Sequence, residues 1–223
     1  HIGAVPVPLY QDAVADEMEY ILTHCSATFA IVGDQEQVDK IHEIQDKIKG
    51  LKDIVYVDPK GLRGYEKSNL HFFNDVTNFG KDDNGDLQAE LSERMAKITG
   101  ETTSVLLYTS GTTGRSKGVV QTHKAIIGAS SGANEFDRWS PDDHIVCYLP
   151  MAWVGDFMIS VGQVMVAGAC LNCPEGADTV QMDVKEMGPT VFFGPPPLWE
   201  RLKTEVNIRI EDASSFKKGA FHY

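Results

Sequence analysis

A loop of Gly, Ser and Thr residues that ends in one lysine is the segment of this chain whose residue types best suit chemistry. It lies within the string LLYTSGTTGRSKGVV, residues 106–120. Because glycine tolerates φ > 0 and has no side chain, such a loop can turn successive backbone N–H groups toward one point. Hydroxyl groups of Thr109, Ser110, Thr112 and Thr113 add donors, and Lys117 adds a compact positive charge. This combination predicts a site that binds a polyphosphate.

The distribution of charge supports the same prediction. The chain has 223 residues and a formal net charge of −12, with 32 Asp and Glu residues against 20 Lys and Arg residues. An even spread would place about five acidic residues in the window 102–134, whereas the window contains none. It does contain the basic residues Arg115, Lys117 and Lys124. Such a region suits a tetra-anionic nucleotide, because it contains no carboxylates that would repel the phosphates.

A Gly/Ser/Thr cluster is also typical of a flexible linker or a hairpin turn. The apolar runs Ser104–Thr109 and Gly118–Gln121, together with the lysine and the missing acids, favour the phosphate site. The loop is not a Walker A motif, because the fifth residue after Gly111 is Ser116 rather than glycine. It is not a G-x-G-x-x-G motif either, since its glycines stand at 111, 114 and 118.

The string YTSGTTGRSKGVV resembles the phosphate-binding signature of the adenylate-forming (AMP-binding) superfamily, which includes acyl-CoA synthetases, luciferases and peptide-synthetase adenylation domains. Three further stretches are similar to long-chain fatty acyl-CoA synthetases: GAVPVPLYQDAVADEMEYIL, YLPMAWVGD and PTVFFGPPPLWERL. The resemblance runs in collinear order over nearly the whole chain. It implies that a carboxylate attacks the α-phosphorus of ATP, giving an acyl-adenylate and pyrophosphate. Coenzyme A then displaces AMP and leaves a thioester.

The resemblance also implies roles for individual residues. Those expected around the β- and γ-phosphates are Thr109, Ser110, Gly111, Thr112, Thr113, Gly114 and Lys117. Thr109 and Lys117 are the candidates for catalysis, and Mg²⁺ is expected to bridge the phosphates. Trp153 and Gly194 are the candidates for binding the acyl substrate, with burial in the core as the alternative for both. The chain departs from the family pattern at Ser116, where proline is usual, and at Trp153, where many relatives have histidine.

The family's adenine-pocket motif, ribose-binding aspartate, hinge and C-terminal catalytic lysine do not appear in this sequence. We therefore interpret residues 1–223 as an incomplete N-terminal AMP-binding domain without the C-terminal domain. The hypothesis is a piece of an AMP-forming fatty acid–CoA ligase that uses ATP, Mg²⁺ and CoA and acts on a fatty acid or another carboxylic acid. By itself this piece should not complete the ligase reaction. A non-catalytic nucleotide-binding module is the alternative.

Composition excludes some classes of protein. The acidic balance argues against nucleic acid as a partner, because no basic face is evident. No apolar run reaches the roughly 18 to 20 residues of a membrane-spanning helix. The pair Cys170 and Cys173 lacks a second ligand pair for zinc, so we expect buried, reduced thiols and a cytoplasmic protein. Peripheral contact with a membrane and the oligomeric state are left open. Acidic residues at 82, 83 and 86 are expected in a solvated loop, and His123 in a structural role at a helix start.

Alternating apolar periodicities predict an α/β fold with mostly parallel sheets flanked by helices. The predicted strands are Ala4–Leu9, Ala27–Val32, Asp53–Val57, the two runs that flank the loop, Asp143–Leu149, Ala169–Cys173 and Thr190–Phe193. The predicted helices are Asp12–Cys25, Gln35–Lys49, Asp86–Ile98, Lys124–Trp139, Asp156–Ala167, Val180–Met187 and one that opens after Pro195–Pro197. Residues 59–85 are predicted to form a long surface connection. The phosphate loop is placed at a strand end of this α/β sheet system, where ligands of open sheets usually bind.

Overall fold

The computed structural model describes residues 2–81, 85–109 and 114–222, without the side chains of residues 215, 216 and 222. It divides into two compact units, residues 1–138 with 149–167 and residues 139–148 with 168–223. Two of its three sheets are parallel and helices accompany them, which confirms the predicted α/β class. The assignment of the whole chain to one incomplete domain stays a prediction.

The first unit begins with a parallel sheet and its helices. In chain order these elements are α1 (Ala15–His24), β1 (Phe29–Val32), α2 (Gln35–Ile44), β2 (Asp53–Tyr56), a 3₁₀ turn (Leu62–Gly64), β3 (Leu70–Phe72), α3 (Phe73–Asn78) and α4 (Asp86–Ala96). The strand order is β1-β2-β3, and both pairs are parallel. A parallel pair needs a long crossover connection, which contains helix α2 between β1 and β2 and the 3₁₀ turn between β2 and β3.

A buried apolar cluster holds α1 and α2 against this sheet. Helix α2 starts at Asp34, whose side chain accepts a hydrogen bond from the Gln37 backbone N–H at 3.2 Å. Its residues Val38, Ile41 and Ile44 are at most 1% exposed, because spacings of three and four bring them to one face. The rest of the cluster comprises Ala13, Met18, Leu22, Val32, Ile48, Ile54, Tyr56, Leu62 and Leu70.

The second part of the first unit is an antiparallel hairpin with helices against it. Its elements are β4 (Thr103–Thr109), β5 (Lys117–Thr122), α5 (His123–Asp137), α6 (Val154–Asp156), a π-helical segment (Phe157–Gln163) and α7 (Val164–Ala167). Thr122 caps α5, accepting a hydrogen bond from the Ala125 N–H at 3.1 Å. Val105 and Leu107 of β4 pack with Ile126 and Phe157, so one face of β4 is anchored to α5 and the π-helical segment.

The second unit contains a short parallel pair and three helices. They are β6 (His144–Val146), β7 (Cys170–Asn172), α8 (Val180–Met187), α9 (Pro196–Glu211) and α10 (Ser215–His222). Helix α9 starts at the proline run because proline tolerates the first helical turn, which needs no N–H donor. An aromatic group joins the strands to α9: Tyr148 stacks on Phe192 with centroids 5.6 Å apart, and Phe192 meets Trp199 edge-on at 5.6 Å.

Several predicted elements are wrong. Ala4–Leu9 is not a strand, and the described hydrogen bond that ties it to β4 runs from the Leu106 N–H to the Pro6 carbonyl at 3.1 Å. Thr190–Phe193 forms a single bridge, from Val191 to Ile145, rather than a strand. Residues 59–85 are not only a connection, since they include β3 and α3. The predicted helix Asp156–Ala167 contains a π-helical segment, which apolar periodicity over so short a run does not reveal.

Replacing Ile41 with alanine should destabilise the protein by about 2 to 5 kcal/mol, because the change leaves a cavity at a side chain that is 1% exposed. The matched control is Ile31→Ala in β1, where the side chain is 63% exposed; its cost should stay below about 1 kcal/mol. Urea unfolding followed by far-ultraviolet circular dichroism measures both. Equal losses at the two positions would contradict the described core.

Candidate functional site

The Gly/Ser/Thr loop joins the two strands of the hairpin. Thr109, the last residue of β4, is the Cα partner of Lys117, the first residue of β5. The linker-or-hairpin alternative was therefore right about the strand pairing, and the predicted strand end is the end of an antiparallel pair rather than of a parallel sheet. The predicted phosphate contacts Ser110, Gly111, Thr112 and Thr113 lie outside the described residues.

Thr109 and Lys117 are brought together by this pairing. Directly opposed residues of an antiparallel pair project to the same face with Cβ atoms about 4.5 to 5.5 Å apart. Both side chains are exposed. The hydroxyl of Thr109 and the ammonium of Lys117 thus emerge side by side where the two strands end.

The charge of Lys117 is not neutralised within the described part of the chain, where its Nζ makes no hydrogen bond or ion pair, although its backbone belongs to the β4–β5 ladder. Lys124, the other lysine of the acid-free window, differs because its Nζ lies 2.9 Å from the Glu101 carboxylate. Lys117 therefore presents an uncompensated positive charge to solvent beside the loop, which suits an anionic ligand.

Gly114 begins the described return of the loop toward β5. Its φ is +143°, a conformation that side-chain-bearing residues rarely adopt, and the space around its Cα is open. The next two residues contact helix α1. The Arg115 guanidinium lies over the Tyr20 ring at 5.1 Å from the centroid, and the Tyr20 hydroxyl donates to the Ser116 carbonyl at 2.9 Å.

The other strand of the hairpin also contacts α1. His24 Nδ1 lies 2.6 Å from the Tyr108 hydroxyl, with the two rings edge to face at 5.7 Å. Burial, with smaller contributions from Cys25 and Tyr20, raises the pKa of Tyr108 above its ordinary value. Tyr108 therefore keeps its proton at neutral pH.

A cavity of about 370 Å³ lies against the base of the loop, and both Thr109 and Trp153 line it. This volume falls in the range of small-molecule pockets. The remaining lining residues are Pro8, Leu9, Tyr10, Ala13, Glu17, Ile21, Tyr108, Ser116, Ala152 and Val154. Most of these side chains are apolar, so the cavity offers an apolar wall next to the threonine and lysine of the hairpin. The structure thus brings a predicted substrate residue, Trp153, to a predicted phosphate residue, Thr109.

Gly194 belongs to the second unit, where its surroundings leave no room for a side chain. A Cβ there would lie 2.4 Å from Leu198 Cδ2 and 2.7 Å from the Tyr148 hydroxyl oxygen. The Gly194 carbonyl accepts a hydrogen bond from Trp199 Nε1 at 3.0 Å. These contacts give the glycine a packing role within its own unit, and its predicted role in binding substrate stays a prediction.

Other predicted features are less informative. Cys170 and Cys173 are exposed free thiols rather than the buried thiols that the sequence favours. Among the described residues there is no group of three His, Cys, Asp or Glu side chains that could hold a metal ion, and no helix long and apolar enough to cross a membrane. His123 is the first residue of α5, in agreement with a structural role. Asp82 and Asp83 of the predicted acidic loop lie outside the described residues.

Tyr20, His24 and Tyr108 are the residues near the loop that sequence reasoning missed. The signal that could have found them is weak: Tyr20 and His24 are four residues apart, so they share one face of α1, beside the apolar face formed by Met18, Ile21 and Leu22. Nothing in the sequence reveals that this aromatic face meets the hairpin.

Known proteins share this fold. An anthranilate CoA ligase solved in complex with anthranoyl-AMP has a TM-score of 0.65 at 23% sequence identity, covering 86% of this chain and 35% of that one. The fold is thus that of adenylate-forming enzymes. A long-chain-fatty-acid–CoA ligase of Xenopus laevis is 26% identical over 223 residues, 97% of this chain and 30% of that protein. Fatty acyl-CoA synthetase B of Dictyostelium discoideum is 27% identical over 221 residues, 97% of this chain and 32% of that protein.

The model of the AMP-binding enzyme family matches residues 1–221, and the chain belongs to that family. The predicted similarity to long-chain fatty acyl-CoA synthetases is confirmed. The chain spans about a third of the length of these curated relatives.

Substitution of Gly155 should displace the Trp153 ring that lines the cavity. An alanine Cβ at this position would lie 2.5 to 2.8 Å from Trp153 Cη2, Cζ2 and Cζ3, so we expect a loss of about 1 to 3 kcal/mol in stability. Replacing Trp139 and Trp199 with phenylalanine leaves Trp153 as the single tryptophan, and its fluorescence emission should then shift in Gly155→Ala.

The matched control for this substitution is Gly128→Ala in α5. A Cβ there meets nothing within 4 Å, and alanine is the better helix former. In this variant the Trp153 emission should not shift and the free energy of unfolding should not fall. Identical behaviour of the two alanine variants would contradict the described packing of Trp153 on Gly155.

Proposed function

We propose that residues 109–117 bind the β- and γ-phosphates of ATP in an AMP-forming acid–thiol ligase that activates a long-chain fatty acid. The observation that carries this proposal is the hairpin end itself: Thr109 and the uncompensated Lys117 face each other across the strands that bound the loop. Membership of the AMP-binding enzyme family and the fatty acyl-CoA ligase relatives support it.

The reaction requires that the reacting groups be positioned and that the negative charge on the leaving pyrophosphate be neutralised. A carboxylate oxygen attacks the α-phosphorus, pyrophosphate leaves, and the thiol of coenzyme A then displaces AMP from the acyl-adenylate. Negative charge accumulates on the departing pyrophosphate during the first step, and a preorganised cation stabilises it. In our proposal Lys117 supplies that cation, the Thr109 hydroxyl and the loop supply hydrogen-bond donors, and Gly114 leaves open space beside them.

Mg²⁺ is the metal that we expect to accompany ATP. Magnesium keeps several of its water ligands and binds through substrate phosphates with one or two protein oxygens. The donor chemistry at the loop agrees, because a hydroxyl oxygen at Thr109 and a carboxylate at Glu17 line the same cavity. The cation would neutralise phosphate charge together with Lys117.

A long-chain acid is the substrate that the relatives' names favour. The cavity beside Thr109 is consistent with it, because an acyl chain needs apolar walls next to the phosphates, and Pro8, Leu9 and Trp153 are such walls here. The carboxylate would lie toward the hairpin end and the alkyl chain toward Trp153.

Lys117→Ala in the intact protein should lower the rate of fatty-acid-dependent ATP–pyrophosphate exchange by about 100-fold or more, because one preorganised stabiliser of developing charge is lost. The fold should be unaffected, since Lys117 is exposed. The matched control is Lys124→Ala, which removes a neighbouring lysine that is paired with Glu101.

Exchange in the control should stay within about twofold of the wild type, because exposed ion pairs contribute little. Normal exchange in Lys117→Ala would defeat the assignment. Binding of ATP without any exchange by the wild type, across all carboxylic acids tried, would instead favour a non-catalytic nucleotide-binding module.

The identity of the acid has its own test. With ATP and CoA held constant, a series of straight-chain acids from 2 to about 20 carbons should show kcat/KM rising with length, since each buried methylene adds about 0.8 kcal/mol of transfer free energy. The measurement is release of AMP by the intact protein. A maximum at acetate or at an aromatic acid would reject the long-chain assignment and leave the phosphate site untouched.

A further inference from the structure

Tyr20 contacts two consecutive residues of the loop's return to β5. Its hydroxyl donates to the Ser116 carbonyl at 2.9 Å, and its ring lies under the Arg115 guanidinium, 5.1 Å from centroid to Cζ. Arg115 and Ser116 lie 95 and 96 positions after Tyr20 in the sequence. One half-buried side chain therefore fixes a backbone group and a cation next to Lys117.

The neighbouring turn of α1 holds the other strand. His24, four residues after Tyr20, shares a hydrogen bond of 2.6 Å between its Nδ1 and the Tyr108 hydroxyl, and the Tyr20 and His24 rings pack together at 5.5 Å. Tyr108 immediately precedes Thr109 in β4. One face of α1 is thus in contact with both ends of the Gly/Ser/Thr loop.

The surroundings of Tyr20 keep Arg115 in place. Tyr20, His24, Arg115 and Ser116 line a cavity of about 730 Å³ together with the acidic residues Asp16, Glu17 and Glu19 of α1. Glu19 is engaged elsewhere, by Lys47 at 2.8 Å. The quadrupole of the Tyr20 ring favours the guanidinium over its face.

We propose that Tyr20 is a positioning residue for the phosphate loop: it holds residues 115 and 116 so that Lys117 and the loop donors are preorganised for the triphosphate. This inference rests on the proposed function, because it needs the loop to bind ATP. Fixing a loop segment in one conformation on binding causes a loss of conformational entropy. A side chain that already anchors one end of the loop reduces that loss on binding, and so raises the affinity for ATP.

Tyr20→Phe and Tyr20→Leu in the intact protein separate the two contacts. Phenylalanine removes the hydrogen bond to Ser116 and keeps the ring under Arg115, whereas leucine removes both. We expect KM for ATP to rise about threefold to tenfold in Tyr20→Phe and further in Tyr20→Leu, in line with the loss of one and of two such interactions. KM for the fatty acid should stay unchanged, because binding of the fatty acid does not depend on how Tyr20 holds the loop.

The matched control is Tyr65→Phe. It also removes a tyrosine hydroxyl with two hydrogen-bond partners, Gln35 at 2.8 Å and Asp39 at 2.6 Å, but both of these belong to α2. A structural defect would lower the active fraction, and hence kcat, without changing the KM for ATP. The rise in KM for ATP should therefore appear in the Tyr20 variants and not in Tyr65→Phe.

A second measurement does not depend on activity. Trypsin cleaves after arginine and lysine, so cleavage after Arg115 and Lys117 without nucleotide should be faster in Tyr20→Leu than in wild type and Tyr65→Phe. Wild-type KM for ATP and wild-type cleavage in both Tyr20 variants would overturn the inference. If Lys117→Ala then still abolished exchange, only the role of Tyr20 would fail; normal exchange in Lys117→Ala would remove the proposed function itself.

Discussion

The antiparallel pairing of β4 with β5 is the constraint on which the rest of the site depends. It places Thr109 opposite Lys117, residues that are eight positions apart in sequence, at the end of the same two-stranded ladder. A polyphosphate site needs donors and a cation that converge without prior rearrangement. Backbone hydrogen bonds between the strands provide that convergence at the base of the loop, where glycine, serine and threonine alone would leave the chain free.

The hairpin is held on both of its faces by different means. Val105 and Leu107 turn one face of β4 to an apolar cluster with Ile126 and Phe157, where burial supplies the stability. The alternate residue Tyr108 turns to α1, where a hydrogen bond to His24 adds direction. Because side chains alternate along β4, one face of the strand is held by apolar packing and the other by a hydrogen bond. The hydrogen bond is made by Tyr108, which lies next to the loop.

Sequence reasoning was accurate where the local pattern was long and buried. The spacing of Val38, Ile41, Ile44 and Ile48 predicts the helix Gln35–Lys49, and all four side chains are in the core, although α2 ends at Ile44. It failed for short elements: β3 has three residues, so its membership of the sheet depends on pairing with β2 rather than on its own pattern. It also failed at Ala4–Leu9, where an apolar run with two prolines suggested a strand, although proline lacks the N–H that a ladder needs.

The sequence by itself determined the family, the α/β class and the composition of the loop, because residue types and their local spacing specify these features. Only the tertiary structure decided that the loop closes a hairpin, that Thr109 and Trp153 share one cavity, and that Tyr20 reaches Arg115 and Ser116. The last two of these bring together residues some 40 to nearly 100 positions apart. They follow from the packing of whole helices and strands, which depends on the sum of many burial contributions and not on any one stretch of residues.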